Sequence, residues 1–157
     1  MLNPKQLTQY VVEPTLKAIG LYSVAATQLL MGTFLMESGL SLVHQLPNGP
    51  GRGLGQVENT TYQDVKQRIQ EPRYAPLYAK ILTTLNMQEL PKDADALMGN
   101  LVLAVIFTRL KYYLDRRPMP EPGDINGFAN YWGKVYNAGA TPNVDMFAKL
   151  LNNYLAT

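Results

Sequence analysis

Residues 34–56 read FLMESGLSLVHQLPNGPGRGLGQ and place one acidic side chain between an apolar helical pattern and a glycine-rich loop. Glu37 falls on the apolar stripe of the helix, three residues beyond its last apolar member. Gly39 follows as the residue expected to end the helix, and the loop closes on Gln56. The stripe consists of Ala26, Leu29, Leu30, Thr33 and Phe34. An acid in this position is a candidate catalytic residue.

The position of Glu37 predicts a raised pKa. Apolar neighbours and the negative end of the helix dipole both disfavour the charged carboxylate. A carboxylic acid that keeps its proton near neutral pH can donate it to a glycosidic oxygen. The alternative is a solvent-facing glutamate at a fraying helix end, and periodicity alone does not decide between the two.

The composition is that of one globular domain. The chain has 157 residues, 46% of them hydrophobic and 17% charged, which suffices for a real core. The absence of cysteine excludes a disulfide framework and a zinc–thiolate site. The net charge of +2 is too small to indicate a nucleic-acid partner. No signal-peptide pattern opens the chain, and the most apolar run, 21–36, is shorter than the ~20 residues of a membrane span. We therefore expect a buried helix there and no membrane span.

Helical patterns cover most of the chain. The predicted helices span residues 4–19, 24–38, 75–85, 93–115, 125–136 and 144–155, and a further helix runs to residue 69 with Thr60 or Thr61 as its cap. Pro14 is expected to kink or interrupt the first of them, and Ser23 to cap the second. The helix over 93–115 is predicted to be the longest, with residues 101–107 buried on every side. Residues 47–55 carry turn chemistry and predict a hairpin or an irregular loop. The predicted fold class is mainly α, with a long central buried helix and a small glycine-rich lobe.

Four short motifs occur in the order found in a known family. They are E-S at 37–38, G-x-G-L-G-Q at 51–56, an asparagine at position 100 that opens a helix ending in a Y-L pair, and Y-N-A-G at 136–139. This set resembles the soluble lytic transglycosylases of the lysozyme-like superfamily, whose pattern is E-S, then G-L-M-Q, then A-Y-N-A-G. Gly55 stands where that pattern has methionine, and Val135 where it has alanine.

A closer resemblance is to phage-encoded lysozyme-like proteins and covers roughly residues 24–150. Those proteins carry RGL-x-Q-x-E-P-x-T after the acid, then a proline-rich segment, G-D, and Y-W before Y-N. The counterparts here are Arg52, Gly53, Leu54, Gln56, Glu58 and Thr60, followed by PMPEPGD, Tyr131, Trp132, Tyr136 and Asn137. Asn59 departs from that pattern, which has proline at this position.

The resemblance implies a single lysozyme-like domain over residues 1–157 and a role for each matching residue. Glu37 is implied to be the one catalytic acid and base, with Ser38 orienting it. Gln56 is implied to bind sugar from the opposite wall of the cleft. Tyr136 is implied to approach Glu37 and help to orient it, and Asn137 to shape the same turn. The resemblance implies no cofactor and no metal.

The resemblance also implies a reaction. Glu37 would protonate the leaving oxygen of the β-1,4 bond between MurNAc and GlcNAc in peptidoglycan, then activate the C6 hydroxyl of the same muramyl sugar. The product would be a 1,6-anhydro sugar. A hydrolytic muramidase would instead need a second carboxylate, for which Glu58 and Asp64 are candidates. Glu58 can face the cleft and contact substrate, or it can be a helix-start residue favoured by the dipole.

The expected partner is therefore the glycan strand of peptidoglycan, together with other phage virion or tail proteins. The expected setting is a phage virion, in the tail or as an injected protein, acting in the bacterial periplasm and cell wall without a signal peptide. Two alternatives stay open. One is a hydrolytic muramidase or endolysin, and the other is a structural virion protein that keeps the lysozyme fold with little activity.

Three further features have simpler interpretations. His44, the one histidine, is read as a loop-surface or cleft-edge residue rather than a metal ligand. Lys111 and the two arginines at 116–117 are interpreted as a solvated helix end, with an anionic partner as the alternative. Tyr131 and Trp132 could stack on sugar rings, but at least one of them is expected to anchor the core.

Overall fold

The computed structural model describes residues 1–138 and 141–157, and most of these residues are helical. The α-helices are α1 (Pro4–Leu7), α2 (Glu13–Ala18), α3 (Val24–Ser38), α4 (Asn59–Ile69), α5 (Ala75–Leu85), α6 (Leu101–Tyr113), α7 (Ile125–Tyr131) and α8 (Val144–Leu155). Two π-helical turns, Thr8–Val12 and Trp132–Tyr136, and two 3-10 turns, Pro72–Tyr74 and Ala94–Met98, lie between them. Over these described ranges the chain forms isolated bridges but no strand, so the mainly α class is confirmed.

Pro14 widens the first helix rather than breaking it. The chain runs continuously from α1 through the π-helical turn Thr8–Val12 into α2. Proline lacks an N–H group, and its ring crowds the carbonyl four residues earlier, which belongs to Tyr10. A π-helical turn directly before Pro14 accommodates this mismatch. Gly20, with φ of 76°, follows the helix end where the sequence predicts it.

The helix that carries Glu37 has the predicted bounds. The Ser23 hydroxyl accepts a hydrogen bond from the Ala26 N–H at 2.9 Å, which caps the first turn. Gly39 adopts the left-handed conformation with φ of 58° and ends the helix. At 15 residues, α3 is the longest α-helix among the described residues. The prediction that the longest helix covers residues 93–115 is therefore wrong.

The predicted helix over residues 93–115 is wrong in its first part. Residues 94–98 form a 3-10 turn, and Asn100 has an extended backbone. The Asn100 side chain accepts a hydrogen bond from the Leu103 N–H at 3.0 Å, so α6 begins only at Leu101. Asparagine favours this role because its side chain satisfies an amide that has no partner within the helix.

Helix α6 lies at the centre of the protein. Residues 103–110 are all buried, which confirms the predicted burial for residues 103–107, whereas Leu101 and Val102 at the helix start are only half-buried. The helix contacts α2, α3, α4 and α5 as well as both π-helical turns. Near its C-terminal end the hydroxyl of Tyr112 lies 2.8 Å from the hydroxyl oxygen of Thr33 in α3. This contact fixes the end of α6 beside the helix that carries Glu37.

Within the apolar run at 21–36, residues 22–24 are exposed and most of residues 25–36 are buried. Most residues of α3 are inaccessible, and the helix packs along α8. Nowhere in the described ranges does a helix combine the length and the hydropathy that crossing a bilayer requires.

The break before α6 leads to a testable expectation. Replacing Asn100 with Ala removes the side-chain acceptor at the helix start and should lower the free energy of unfolding by about 1 kcal/mol. Asn100→Asp keeps an acceptor and should stay close to the parent protein. Urea denaturation followed by circular dichroism measures both. Equal stability of the Ala and Asp variants would contradict the assigned helix start.

Candidate active site

Glu37 lies in the last turn of α3 and is half-buried. Its Oε2 accepts a hydrogen bond from the indole Nε1 of Trp132 at 3.0 Å. Trp132 is only 1% exposed, and its ring stacks on Phe147 of α8 with centroids 5.2 Å apart. The indole is therefore a fixed donor, and it holds one carboxyl oxygen in a defined position. The expectation that at least one of residues 131 and 132 anchors the core is confirmed, since both are buried.

The surroundings of Glu37 favour its protonated form. Burial raises the pKa of the Glu37 carboxyl, which agrees with the direction predicted from the sequence. The Trp132 hydrogen bond and the charge of Lys111 act in the opposite direction and lower that pKa. The charge of Lys111 adds a cation to the apolar setting that the sequence predicted for Glu37. The site thus favours the neutral acid while providing two groups that stabilise the carboxylate once it forms.

Tyr136 lies close to Glu37, but its hydroxyl is committed elsewhere. It is buried, and its hydroxyl donates to the carbonyl oxygen of Gly55 at 2.5 Å. Burial raises the pKa of Tyr136, and the nearby charge of Glu37 raises it further. The two side chains therefore share one region, as the resemblance implies. The direct hydrogen bond that orients the acid comes from Trp132, whereas Tyr136 holds the glycine-rich loop.

A stack of three tyrosine rings supports this wall of the site. The ring of Tyr112 stacks on the rings of both Tyr131 and Tyr136, with centroid distances of 5.5 and 5.3 Å. Its hydroxyl is paired with Thr33, so the middle ring is anchored to α3. Such stacks contribute packing and fix ring orientation. The position of the Tyr136 hydroxyl is therefore set by α6 and α3 together.

The glycine-rich segment is an irregular hairpin, one of the two predicted alternatives. Arg52 pairs with His44 on one side and with Val57 on the other, each as an isolated antiparallel bridge. The Arg52 Nε donates to Asp95 Oδ1 at 3.0 Å, which fastens the loop to the 3-10 turn before α6. Its Nη1 donates to the carbonyl oxygen of Gly49 at 2.7 Å. The loop therefore has internal support and an external tie.

Gly55 is required by its neighbours. A Cβ atom there would lie 2.3 Å from Thr108 Oγ1 and 2.7 Å from the Tyr136 hydroxyl. Any side chain would overlap both groups, so the methionine of the transglycosylase pattern cannot fit this backbone. Thr108 is fully buried, and its hydroxyl makes no hydrogen bond of standard geometry within the described chain. Glycine thus replaces the methionine of the family pattern at position 55 because the hydroxyls of Thr108 and Tyr136 occupy the space of a side chain.

Gln56 turns its amide into its own loop. Its backbone has φ of 50°, an uncommon conformation for a residue other than glycine. The side-chain Nε2 donates to the carbonyl oxygen of Gly53 at 2.8 Å. The Oε1 atom is buried and has no hydrogen-bond partner among the described residues. A role for Gln56 in binding sugar therefore depends on the acceptor oxygen becoming accessible.

The remaining residues implied by the resemblance lie at helix ends. The Ser38 hydroxyl donates to the Phe34 carbonyl at 3.0 Å and accepts from the Leu40 N–H at 3.2 Å. It shapes the chain after α3, and these bonds do not orient the Glu37 carboxyl. The Asn137 N–H donates to the Trp132 carbonyl at 3.1 Å and closes the π-helical turn. Gly139, the last residue of the Y-N-A-G motif, lies outside the described residues.

Glu58 is exposed and occupies the N-cap position of α4, without a side-chain capping bond. Helix α4 therefore begins at Asn59, so the prediction that Thr60 or Thr61 caps it is wrong. The Asn59 side chain explains its departure from proline, because its Oδ1 accepts from the Ala94 N–H at 3.0 Å. This bond joins the start of α4 to the 3-10 turn at 94–98.

Lys111 is the member of the site that sequence reasoning missed. It was interpreted as part of a solvated helix end, but it is half-buried and its Nζ donates to the Tyr136 carbonyl at 2.8 Å. Burial lowers the pKa of Lys111, and the charges of Glu37 and Glu58 raise it. Helical spacing carried the signal, because Lys111 lies three and four residues beyond the buried positions 108 and 107.

His44 shows no sign of metal binding. Its Nδ1 lies 3.1 Å from the Gln45 carbonyl oxygen, within the glycine-rich hairpin. Over residues 1–138 and 141–157, no three histidine or acidic side chains are grouped in a way that could hold an ion.

Comparisons of the chain with protein-family models, with curated proteins and with solved structures found no match. Function must therefore be argued from the geometry around Glu37.

The close approach at Gly55 predicts a stability loss. Gly55→Ala should destabilise the protein by roughly 1–3 kcal/mol, because the added methyl group overlaps two buried hydroxyls. Gly99→Ala is the matched control, since a Cβ at Gly99 meets nothing within 4 Å. Adding Thr108→Ala to Gly55→Ala should recover part of the loss, as measured by a double-mutant cycle in urea. A neutral Gly55→Ala would show that the loop does not approach Thr108 so closely.

Burial of Glu37 predicts that the stability of the Glu37→Gln variant relative to the parent protein depends on pH. A raised folded-state pKa means that the stability contributed by the protonated acid is complete below its ordinary value of 4.5 and is lost as pH rises through the folded value. Glutamine stays neutral and can still accept from the Trp132 indole. The thermal stability of the variant relative to the parent should therefore increase between about pH 4 and pH 7.

The exposed Glu121 supplies the control for this measurement. Glu121→Gln should show a much smaller pH-dependent difference. A difference between Glu37→Gln and its parent that stays constant with pH would contradict the buried setting of the acid.

Proposed function

We propose that this protein is a peptidoglycan lytic transglycosylase with a lysozyme-like fold, and that Glu37 is its single acid and base. The observation that carries the proposal is a half-buried carboxyl with a raised pKa, held at 3.0 Å by a rigid indole donor. It lies near Tyr136, whose hydroxyl fastens a glycine-rich loop. Perturbed acids that are fixed in this way are typical of catalytic sites. The motifs around them resemble those of the lytic transglycosylases.

The chemistry requires one proton to be given and one to be taken. In the first step the protonated Glu37 donates its proton to the bridging oxygen as the bond from C1 of MurNAc to that oxygen breaks. In the second step the C6 hydroxyl oxygen of the same sugar bonds to C1, and its proton passes to the Glu37 carboxylate. The product is a 1,6-anhydro sugar, and the acid is regenerated without water entering the balance.

The neighbours of Glu37 fit both steps. The Trp132 N–H occupies Oε2, which leaves Oε1 to exchange the proton. Burial raises the pKa of Glu37 and so favours the protonated acid that the first step requires. The Lys111 charge lowers the pKa and so stabilises the carboxylate formed between the steps. The site therefore holds an acid that can reverse its role within one turnover.

A hydrolytic muramidase is the second candidate, and one observation favours it. Lys111 feels the charges of both Glu37 and Glu58, so two carboxylates lie within range of a single cation. The exposed Glu58 is suited to activating water rather than to donating a proton. In this alternative, water would attack C1 and the product would end in a reducing sugar.

The proposed setting is a phage virion, in which the protein opens the bacterial wall locally. The resemblance to phage-encoded lysozyme-like proteins supports this setting. A structural virion protein that keeps the fold with little activity is the outcome that the activity assay would reveal.

The activity prediction rests on Glu37. The wild-type chain should clear peptidoglycan sacculi, whereas Glu37→Gln should lose at least about 100-fold because it has no proton to transfer. Glu121→Gln, an exposed acid in the connection before α7, should retain full activity. The wild-type rate should fall as pH rises through the raised pKa of Glu37, because the protonated form is the active one.

Mass spectrometry of the released fragments separates the two enzymes. Anhydro ends, together with retained activity in Glu58→Gln, support a transglycosylase. Reducing ends that are lost in Glu58→Gln support a muramidase. No clearing by the wild type, or equal clearing by wild type and Glu37→Gln, would overturn the proposal that Glu37 catalyses the cleavage.

A further inference from the structure

A groove of about 370 Å³ runs along the outer side of the site, between α4, the C-terminal end of α6 and the second π-helical turn. Glu37 does not line it, but Lys111, which affects the pKa of Glu37, does. The hydroxyl-bearing Thr60 and Thr61 lie on one wall. Val135, next to the Tyr136 carbonyl that holds Lys111, lies on the other. The groove thus shares Lys111 with the neighbourhood of the acid and carries groups able to bond a saccharide.

The charges of the groove leave one cation available. Asp64 pairs with Arg68 at 3.6 Å, and both line the groove. Asp115, also in the lining, pairs with Arg117 at 3.7 Å. Each lining carboxylate therefore has its own arginine. None of the ion pairs within 4.0 Å in the described chain includes Lys111, although its ammonium group lies in the field of Glu37 and Glu58.

Lys111 is also held in a fixed position. Its Nζ donates to the Tyr136 carbonyl at 2.8 Å and lies 4.2 Å from the centroid of the Tyr136 ring. The ring belongs to the tyrosine stack, so the support under the ammonium group is rigid. An ammonium group has three N–H donors, and this contact uses one of them. The other two can serve a ligand without the cost of ordering a free lysine side chain.

We propose that this groove binds a carboxylate carried by the muramyl sugar of the substrate and that Lys111 is the residue that recognises it. This inference rests on the proposed function for the identity of the ligand. A peptidoglycan strand carries carboxylates in two places, on the lactyl group when it is unsubstituted and on the attached peptide. Either would bring a negative charge beside the glycosidic bond to be cleaved. Lys111 would then be a specificity-determining residue that separates peptidoglycan from a neutral glycan of the same backbone.

The test compares three ligands on the full chain in the Glu37→Gln background, so that none is consumed. They are chitotetraose, which is neutral, the peptide-free GlcNAc–MurNAc tetrasaccharide, and the same tetrasaccharide with its peptides. Calorimetry should show tighter binding of a carboxylate-bearing ligand by about tenfold, as expected for a charge-assisted hydrogen bond. Tighter binding of the peptide-free tetrasaccharide than of chitotetraose would identify the lactyl carboxylate as the group that Lys111 binds. Tighter binding of the peptide-bearing tetrasaccharide alone would identify a carboxylate of the peptide.

Variants at position 111 link the preference to the lysine. Lys111→Met keeps the side-chain length and should remove the preference, whereas Lys111→Arg should keep most of it. Lys134→Met is the matched control, because Lys134 is an exposed cation of the adjacent π-helical turn that lines a different groove. Equal binding of all three ligands by the Glu37→Gln protein, or an unchanged preference in Lys111→Met, would overturn the inference.

A second measurement does not depend on the folding of any Lys111 variant. Titration of the isotope-labelled Glu37→Gln chain with the preferred tetrasaccharide should shift the amide signals of Thr60, Thr61 and Val135 in nuclear magnetic resonance spectra. Changes confined to amide signals outside the groove would also overturn the inference that the groove binds the substrate carboxylate. The sacculus assay keeps the two failures apart. If the wild type clears sacculi but the groove shows no preference, only the role of Lys111 falls, and Glu37 remains the proposed catalyst.

Discussion

The hydrogen bond between the Trp132 indole and the Glu37 carboxyl is the interaction on which the site depends. Removing a carboxyl group from water costs free energy unless it finds a partner or keeps its proton. Both conditions are partly met at Glu37, because one carboxyl oxygen accepts a hydrogen bond at 3.0 Å and burial favours the protonated form. The indole is fixed by its stacking on Phe147, so the end of α3 is tied through it to α8. The packing of α3 on α8 and the position of the Glu37 carboxyl therefore depend on the same contact.

Much of the helical architecture could be predicted because its signals are local. Ser23 and Gly39 mark the ends of α3 through their own capping geometry, and the bounds of α5 and α8 follow from periodicity alone. The failure at residues 93–100 has a physical cause as well. The apolar pattern continues through the 3-10 turn, but the Asn100 side chain bonds the Leu103 amide and starts a new helix.

The candidate site was predictable only in part because its contacts are distant in sequence. The apolar stripe made partial burial of Glu37 one of two alternatives, and the structure shows that alternative, yet the partner Trp132 lies 95 residues away. Lys111 was misread because cations at helix ends are common and usually solvated. Its partner, the Tyr136 carbonyl, cannot be inferred from spacing. The reason for glycine at position 55 is likewise tertiary, since the crowding atoms come from α6 and the second π-helical turn.

The second π-helical turn has a consequence for how the chain can vary. The Asn137 N–H reaches the Trp132 carbonyl across one residue more than an α-helical bond spans. Trp132 and Tyr136 stand at the two ends of this turn, one bonded to Glu37 and the other to the glycine-rich loop. Deleting a single residue here would restore α-helical winding and rotate whatever follows by roughly 100°. Among natural variants, changes of chain length should therefore occur in the proline-rich connection at 116–124 and be rare at 132–136, even where Glu37 and Tyr136 are both retained.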